Sequence, residues 1–547
     1  MHFLRDLLLA AVVVGGSPFA GVGQTTPSAV GQAGSIAGTV YEAGSFTPIE
    51  RAEILLYQSR NRVRFIRTDS QGRFAFRGVE PVIHALTANK NGYVLQSFGS
   101  AGRRGRTESF KIQPGQKITD ANFYLERAAV VTGRILDQDG DPAPDAYVHL
   151  MARTYALGRR LFSPRGHART NDLGEYRIPN VSPGRYFIGV DYSDRLLNDP
   201  EVRYEGDEQG DYDRTFHPGV EDPGKALPVD LGAGEMRAID IQLRRVPTVR
   251  VSGSVRLAGD APLPERINLE FYPTWDISGR LRRRFVSPDI ATSAFEFPRV
   301  PRGPYVLRAL EHIDGKPVYL HRELEIADVN IENLDLTLNN CATVRGRILV
   351  VGVGAEEFSH EKSSVGLSLY SFPYNPGQTA ARADKTGSVL IENIVPSTYT
   401  VKVSNLPPDA YLKSVRLGDR ELPDRQLTLE AGETIDGLEA VVSLGGGRID
   451  GIVLDQDRQP ATLTTVVAVP LNEAGDRPRY LRTAETDAQG RYAVRGLAPG
   501  RYRLLAFDER DLEPGFYQAP GFLDNCRDQG EEVEVRENSR LELFLLL

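Results

Sequence analysis

Seven histidines lie beyond the N-terminal segment: His84, His149, His167, His217, His312, His321 and His360. A zinc peptidase site needs closely set nitrogen and oxygen ligands with one coordination position left open. None of these histidines has Glu at the third following position, and no H-E-x-x-H occurs. The G-x-S-x-G elbow, which lifts a serine on a strained strand-to-helix turn, is also absent. So are a P-loop and a dinucleotide fingerprint. Carboxylates are plentiful, yet no spacing pairs two of them across a cleft. The run from Asp137 to Asp145, "DQDGDPAPD", offers Asp137, Asp139 and Asp141 as hard oxygen ligands. Its glycine falls between the second and third Asp, and no Glu stands at the twelfth position, so a polar turn is the better reading. These residues predict no catalytic group, no metal site and no cofactor.

Aromatic residues in one loop position offer a binding chemistry instead. Tyr57, Tyr155, Tyr272 with Trp275, and Tyr370 with Phe372 and Tyr374 fall after the second strand of successive units. Exposed rings of this kind stack on sugars or serve protein recognition. Trp275 is the sole Trp, and the basic run Arg280 to Phe285, "RLRRRF", follows it. A ligand site is therefore placed at Tyr272, Trp275, Arg282, Arg283 and Arg284, where an anionic sugar would meet rings and guanidinium donors. The competing reading packs these rings between modules and leaves the arginines on a solvated strand.

Strands must position those residues, and the strands recur. An apolar residue, a spacer, Gly, a spacer and Ile or Val open each unit: "IAGTV" at Gly38, "VTGRI" at Gly133, "VSGSV" at Gly253, "VRGRI" at Gly346 and "IDGIV" at Gly451. A hairpin turn follows at Asp69…Gly72, Asn171…Gly174, Asp384…Gly387 and Asp487…Gly490. In the third unit Ser293 stands where the Gly belongs, so its hairpin is the least marked. A second turn comes next, at Pro183-Gly184 and Pro499-Gly500, with relaxed forms at Pro81-Val82, Arg302-Gly303 and Pro396-Ser397. Closing strands such as "IDIQL" and "RLELFLLL" end the units. Short strands with turn signals and almost no helical periodicity predict an all-β chain, a tandem array of about five β-sandwich domains. The predicted units are 34–127, 128–246, 247–340 (divergent), 341–444 and 445–547. Short linkers between them predict an elongated array.

The combination of "VTGRILDQDGDPAPDAYVHL", "TNDLGEYRIPNVSPGRY" and the final "IDIQL" resembles the carboxypeptidase regulatory-like domain. That resemblance implies a transthyretin-like, prealbumin-type sandwich in a bacterial exported protein, and it implies no chemistry of its own. It is clear in units 1, 2 and 5 and weakest in unit 3. The related collagen-adhesin B-type modules often carry a Lys–Asn cross-link from the first strand. No opening strand here contains Lys, so the cross-link is not expected.

The first 23 residues, with Arg5, the apolar run Leu7 to Val14 and small residues after it, read as a signal peptide cleaved near Ala20 or Gly23. No later segment is apolar enough to cross a membrane as a helix. The net charge of −8 gives no electrostatic reason to expect nucleic acid. Cys341 and Cys526 fall in different units, and spacing does not bring them within bonding reach. The function expected is a non-catalytic, secreted or periplasmic scaffold of the cell envelope, structural or adhesive, whose partner is an extracellular or envelope protein or glycan. The alternative is a carbohydrate-binding protein using the loop aromatics.

Overall fold

The computed structural model describes residues 33–547 except 60–61, 99–108, 157–158, 193–210, 213, 260–261, 265, 275–283, 314, 372–378, 463, 472–479, 488, 509–511, 514, 520, 523 and 527. The expected signal peptide, residues 1–23, lies outside the described residues.

Nearly all regular structure is β; among the described residues one short α-helix, His360–Ser363, and a few three-residue 3-10 turns interrupt it. Separate cores of buried apolar side chains lie within 36–125, 129–243, 251–338, 342–442 and 449–545. These define modules 1 to 5. Each core forms because alternate strand residues turn inward: in Gly34–Glu42 the buried positions include Ile36 and Val40. A fully buried Ile or Leu contributes roughly 1.5–3 kcal/mol, so a dozen or more per module outweigh any single contact between modules.

In module 1 the opening strand Gly34–Glu42 pairs antiparallel with Arg73–Val79 and parallel with Lys117–Ile118 and Phe123–Leu125. The facing sheet runs Arg62–Arg67, Glu53–Ser59, Ile83–Asn89, with Gln96–Ser97 and Ser109–Lys111 beside the last. Modules 2 and 5 repeat this plan, and module 4 keeps it with Tyr411–Leu417 added to the first layer. Module 3 departs from it. There Lys316–Ile326 pairs with both Gly303–Ile313 and Ile331–Asn340, joining the two layers into one seven-stranded sheet.

The recurring glycine of the opening strand has a steric cause. A Cβ at Gly38, Gly133, Gly253, Gly346 or Gly451 would lie 2.1, 1.9, 2.0, 2.6 or 1.8 Å from the carbonyl oxygen of Ala121, Ile239, Leu334, Leu438 or Leu543. The closing segment crosses there, and only a residue without Cβ lets the backbones meet. The tyrosine of "PGRY" is equally local. Tyr186 and Tyr502 donate their hydroxyls to Ser182 O and Ala498 O at 2.8 and 2.9 Å, across the turn before them. In module 1 His84 holds the same place, its Nε2 2.8 Å from Glu80 O.

Two expectations are corrected. Module 3 keeps a hairpin turn, built from residues the spacing hid. Asp289 Oδ1 accepts from Thr292 N at 2.8 Å, and Ser293 adopts φ +61°. Ser293 O accepts from Val255 N at 2.9 Å, as Gly72 O accepts from Val40 N at 2.8 Å. The turn is one residue longer, which moves Asp off the expected position. The array is also not simply extended. Arg153 of module 2 and Glu513 of module 5, 360 residues apart in sequence, form an ion pair at 2.6 Å. The angles at the junctions bring a distant module back.

Candidate functional site

Of the five residues picked from sequence, Tyr272 and Arg284 are described, and each is engaged within the chain. Tyr272 lies on Leu269–Pro273 and is fully buried. Its neighbour Phe271 points into the core and stacks on Tyr305 at 4.7 Å, which turns Tyr272 to the other side of the sheet. There it packs on Val306, and the Arg308 guanidinium sits 5.2 Å from its ring centre. Glu270 accepts from Arg308 Nε at 2.7 Å and holds that cation in place. A ring so covered offers no face to a sugar, which corrects the expectation for Tyr272. Arg284 is likewise engaged within the chain. It donates to Pro298 O at 2.7 Å and pairs with buried Asp211 of module 2 at 3.5 Å. Trp275, Arg282 and Arg283 lie outside the described residues, as do Phe372 and Tyr374. Of the other loop aromatics, Tyr155 lies where modules 2 and 5 meet, and Tyr370 carries Lys402 Nζ 4.2 Å from its ring centre.

The most strongly polar buried group was missed from sequence. His149 projects from Tyr147–Ala156 on the face opposite the core residues Val148 and Leu150. Asp191 ends the neighbouring strand Gly184–Asp191. His149 Nε2 is 2.9 Å from Asp191 Oδ2. Arg214 donates Nε to Asp191 Oδ1 at 2.6 Å, and a second guanidinium nitrogen donates to Oδ2. His149 and Arg214 are essentially without solvent contact. Tyr147 stands beside them, 4.5 Å from the His149 ring and stacked on His167 at 5.2 Å.

Burial by itself would raise the Asp191 carboxyl; Arg214 and the hydrogen bond from His149 outweigh it and hold the group well below the usual carboxylate range. For His149 burial comes first and lowers the imidazole, Arg214 lowers it further, and Asp191 offsets this only in part. The imidazole is therefore neutral near neutral pH, and the nitrogen facing the carboxylate, Nε2, carries its hydrogen. The pair has the polarity of a histidine–carboxylate dyad, but its third member is a cation rather than a nucleophile. Its chemistry is attachment. It ties the strand Thr215–Phe216 to the sheet beside Gly184–Asp191, and Phe216 joins Met151 and Phe187 in a small apolar cluster. Arg214 lies 65 residues beyond His149 in the sequence. No spacing links it to His149.

Among the described residues no group of three or more His, Cys, Asp or Glu is placed to hold a metal ion, and no helix is long and apolar enough to cross a membrane. Cys341 and Cys526 are both free thiols, the first half-buried and raised to about 11 by that burial.

The hairpin of module 1 lies within a matched domain. Asp69 Oδ1 accepts from Gln71 N and Arg73 N, each at 2.9 Å, and Thr68 Oγ1 accepts from Ala52 N at 2.8 Å. Residues 35–126, which contain this turn, match the model of the carboxypeptidase regulatory-like domain. The chain carries a carboxypeptidase regulatory-like domain. The same turn recurs outside that domain, at Asn171 in module 2, Asp384 in module 4 and Asp487 in module 5.

No curated protein matches the chain. Solved structures similar to it include the Bacillus anthracis TIE protein, at 12% identity over 76% of this chain and 73% of that one, with a TM-score of 0.15. The minor pilin GBS52 of Streptococcus agalactiae shares 16% identity over 39% of this chain and 97% of its own, with a TM-score of 0.21. A putative carbohydrate binding protein from Pseudomonas aeruginosa shares 14% identity over 17% of this chain and 90% of its own, with a TM-score of 0.14.

Proposed function

We propose that this chain is a non-catalytic, exported scaffold of the cell envelope that holds β-sandwich modules in fixed mutual orientation and presents them to an extracellular or envelope protein. The units of the scaffold are 34–127, 128–246, 247–340, 341–444 and 445–547, after removal of the signal peptide 1–23. One observation carries the reading: consecutive modules are pinned to each other rather than strung on loose linkers. Ala128 N donates to Gly92 O at 2.9 Å between modules 1 and 2, and Gly432 N to Asn340 O at 2.9 Å between modules 3 and 4. Gly446 N donates to Asp409 O at 2.9 Å, and Ser443 Oγ to Glu537 Oε1 at 3.2 Å, between modules 4 and 5. Between modules 2 and 3, Asp211 meets Arg284 and Glu221 meets Arg302 at 3.5 and 3.7 Å. Pinned junctions suit spacing and presentation, whereas domain closure over a substrate needs a hinge. The carbohydrate-binding alternative loses its stacking ring at Tyr272.

The test is expression of the full chain in bacteria, followed by fractionation, N-terminal sequencing and a binding assay of the purified mature protein on intact cells. The expected result is a processed N-terminus near residues 20–23, an exported location and saturable, protease-sensitive binding. An unprocessed cytoplasmic protein, or binding abolished by glycan removal and untouched by protease, would overturn the proposal.

A further inference from the structure

The contact between modules 2 and 5 differs in kind from the other junctions. Consecutive modules are joined by the chain itself. Modules 2 and 5 meet only through residues far apart in sequence. Followed in order, the contacts return to their start: module 2 meets 3 at Asp211–Arg284, 3 meets 4 at Asn340–Gly432, 4 meets 5 at Asp409–Gly446, and 5 meets 2 at Glu513–Arg153. We propose that modules 2 to 5 form a closed ring whose clasp is Arg153–Glu513: the other junctions are pinned by single hydrogen bonds and ion pairs that hold their angles only while the ring is closed, so release of the clasp lets the ring open into an extended array. Module 1 stands outside the ring.

The clasp is built on both sides. Arg153 Nε donates to both oxygens of Glu513, at 2.6 and 2.7 Å. Its guanidinium also lies 4.9 Å from the centre of the Phe187 ring, which belongs to the apolar cluster on the outer face of module 2. Arg153 and Glu513 are 25% and 17% exposed, so the pair is shielded more than a surface ion pair and less than a buried one. Two residues on, Gly515 adopts φ +74°, and a Cβ there would lie 2.4 Å from Tyr155 O. The loop thus approaches module 2 backbone to backbone, where only glycine fits. Phe516 and Phe522 anchor the same loop on its own module, 5.1 and 5.2 Å from Phe507. The loop stays with module 5, and among the described residues Glu513 and Gly515 are two that meet module 2. Closure within one chain sets a high effective concentration, so a modest contact holds the ring shut and its loss opens it.

Small-angle scattering of the mature protein with Arg153→Glu, Glu513→Arg and the double exchange reads this directly. Each single variant is expected to raise the radius of gyration about 1.3- to 1.5-fold, the change for four compact beads passing from a square to a row. The double exchange restores the parent value. Gly515→Val opens the ring without touching a charge, and circular dichroism of each variant confirms folded modules. An unchanged radius in all variants would overturn the clasp. So would a double exchange that stays open, or a parent protein that is dimeric and loses its partner in the single variants.

Discussion

Gly451 lies directly beneath the carbonyl oxygen of Leu543, so that a Cβ on it would sit 1.8 Å from that oxygen. Tyr492 donates its hydroxyl to the same oxygen at 2.8 Å. The opening strand, the closing strand and the hairpin of module 5 therefore meet at one carbonyl. Gly451→Ala forces the closing strand outward and is expected to cost about 1–3 kcal/mol. Tyr492→Phe removes one hydrogen bond and is expected to cost about 1 kcal/mol. Because five modules do not unfold as one, the measurement is amide hydrogen exchange across Gly447–Leu454. Exchange as slow as in the parent would contradict the steric account.

Ser293 holds a left-handed conformation that its four counterparts fill with glycine. Ser293→Gly relieves that strain at the expense of unfolded-chain freedom, and the balance favours the folded state by roughly 0.5–1 kcal/mol. Exchange in Ala294–Pro301 should slow. Faster exchange would mean that Asp289 and Thr292 already hold the turn without strain.

The His149–Asp191–Arg214 group makes module 2 sensitive to acid. Folding lowers the proton affinity of His149, so the unfolded chain binds more protons once the pH falls below the free value of about 6.5, and stability drops with it. Asp191 is also lowered; its contribution is present above the free value of about 3.9 and is lost as the pH falls below that. His149→Gln keeps a donor toward Asp191 and should flatten the loss between pH 6.5 and 5, read by exchange in Tyr147–Ala156 against pH. Arg214→Met leaves a buried carboxylate unpaired and is expected to cost about 3–5 kcal/mol at neutral pH. An unaltered pH profile in His149→Gln would show that the imidazole titrates as freely in the fold as outside it.

Tyr272→Ala empties a buried site between Val306 and Arg308 and should destabilise module 3 by about 3–5 kcal/mol without altering any response to saccharides. Trp275→Ala separates the two readings of the sole Trp: lost saccharide affinity at an unchanged melting temperature marks a ligand ring, and lost stability marks packing. Saccharide binding that vanishes in Tyr272→Ala while module 3 stays as stable as in the parent would reinstate the sugar site.

The sequence by itself determined the module and its repetition. Alternation, the Asp69…Gly72 turn, the Gly38 crossing and the "PGRY" tyrosine act over short distances, where residue type dictates backbone geometry through turn chemistry and sterics. It also carried the resemblance to the carboxypeptidase regulatory-like domain, read from the motifs of unit 2, and the family model matches residues 35–126. Tertiary structure decided which side chains meet. Tyr272 looked like a platform because its loop was rich in rings, but the pleat aims it at Arg308. Asp289 escaped notice because one extra residue shifted the turn. His149, Asp191 and Arg214 come together from two strands and an insertion, and Arg153 finds Glu513 across 360 residues. A charge in a sequence names no partner. Coulomb and hydrogen-bond energies depend on separation in space, and that separation is set by the twist of each sheet and the angle of each junction, which no local pattern records.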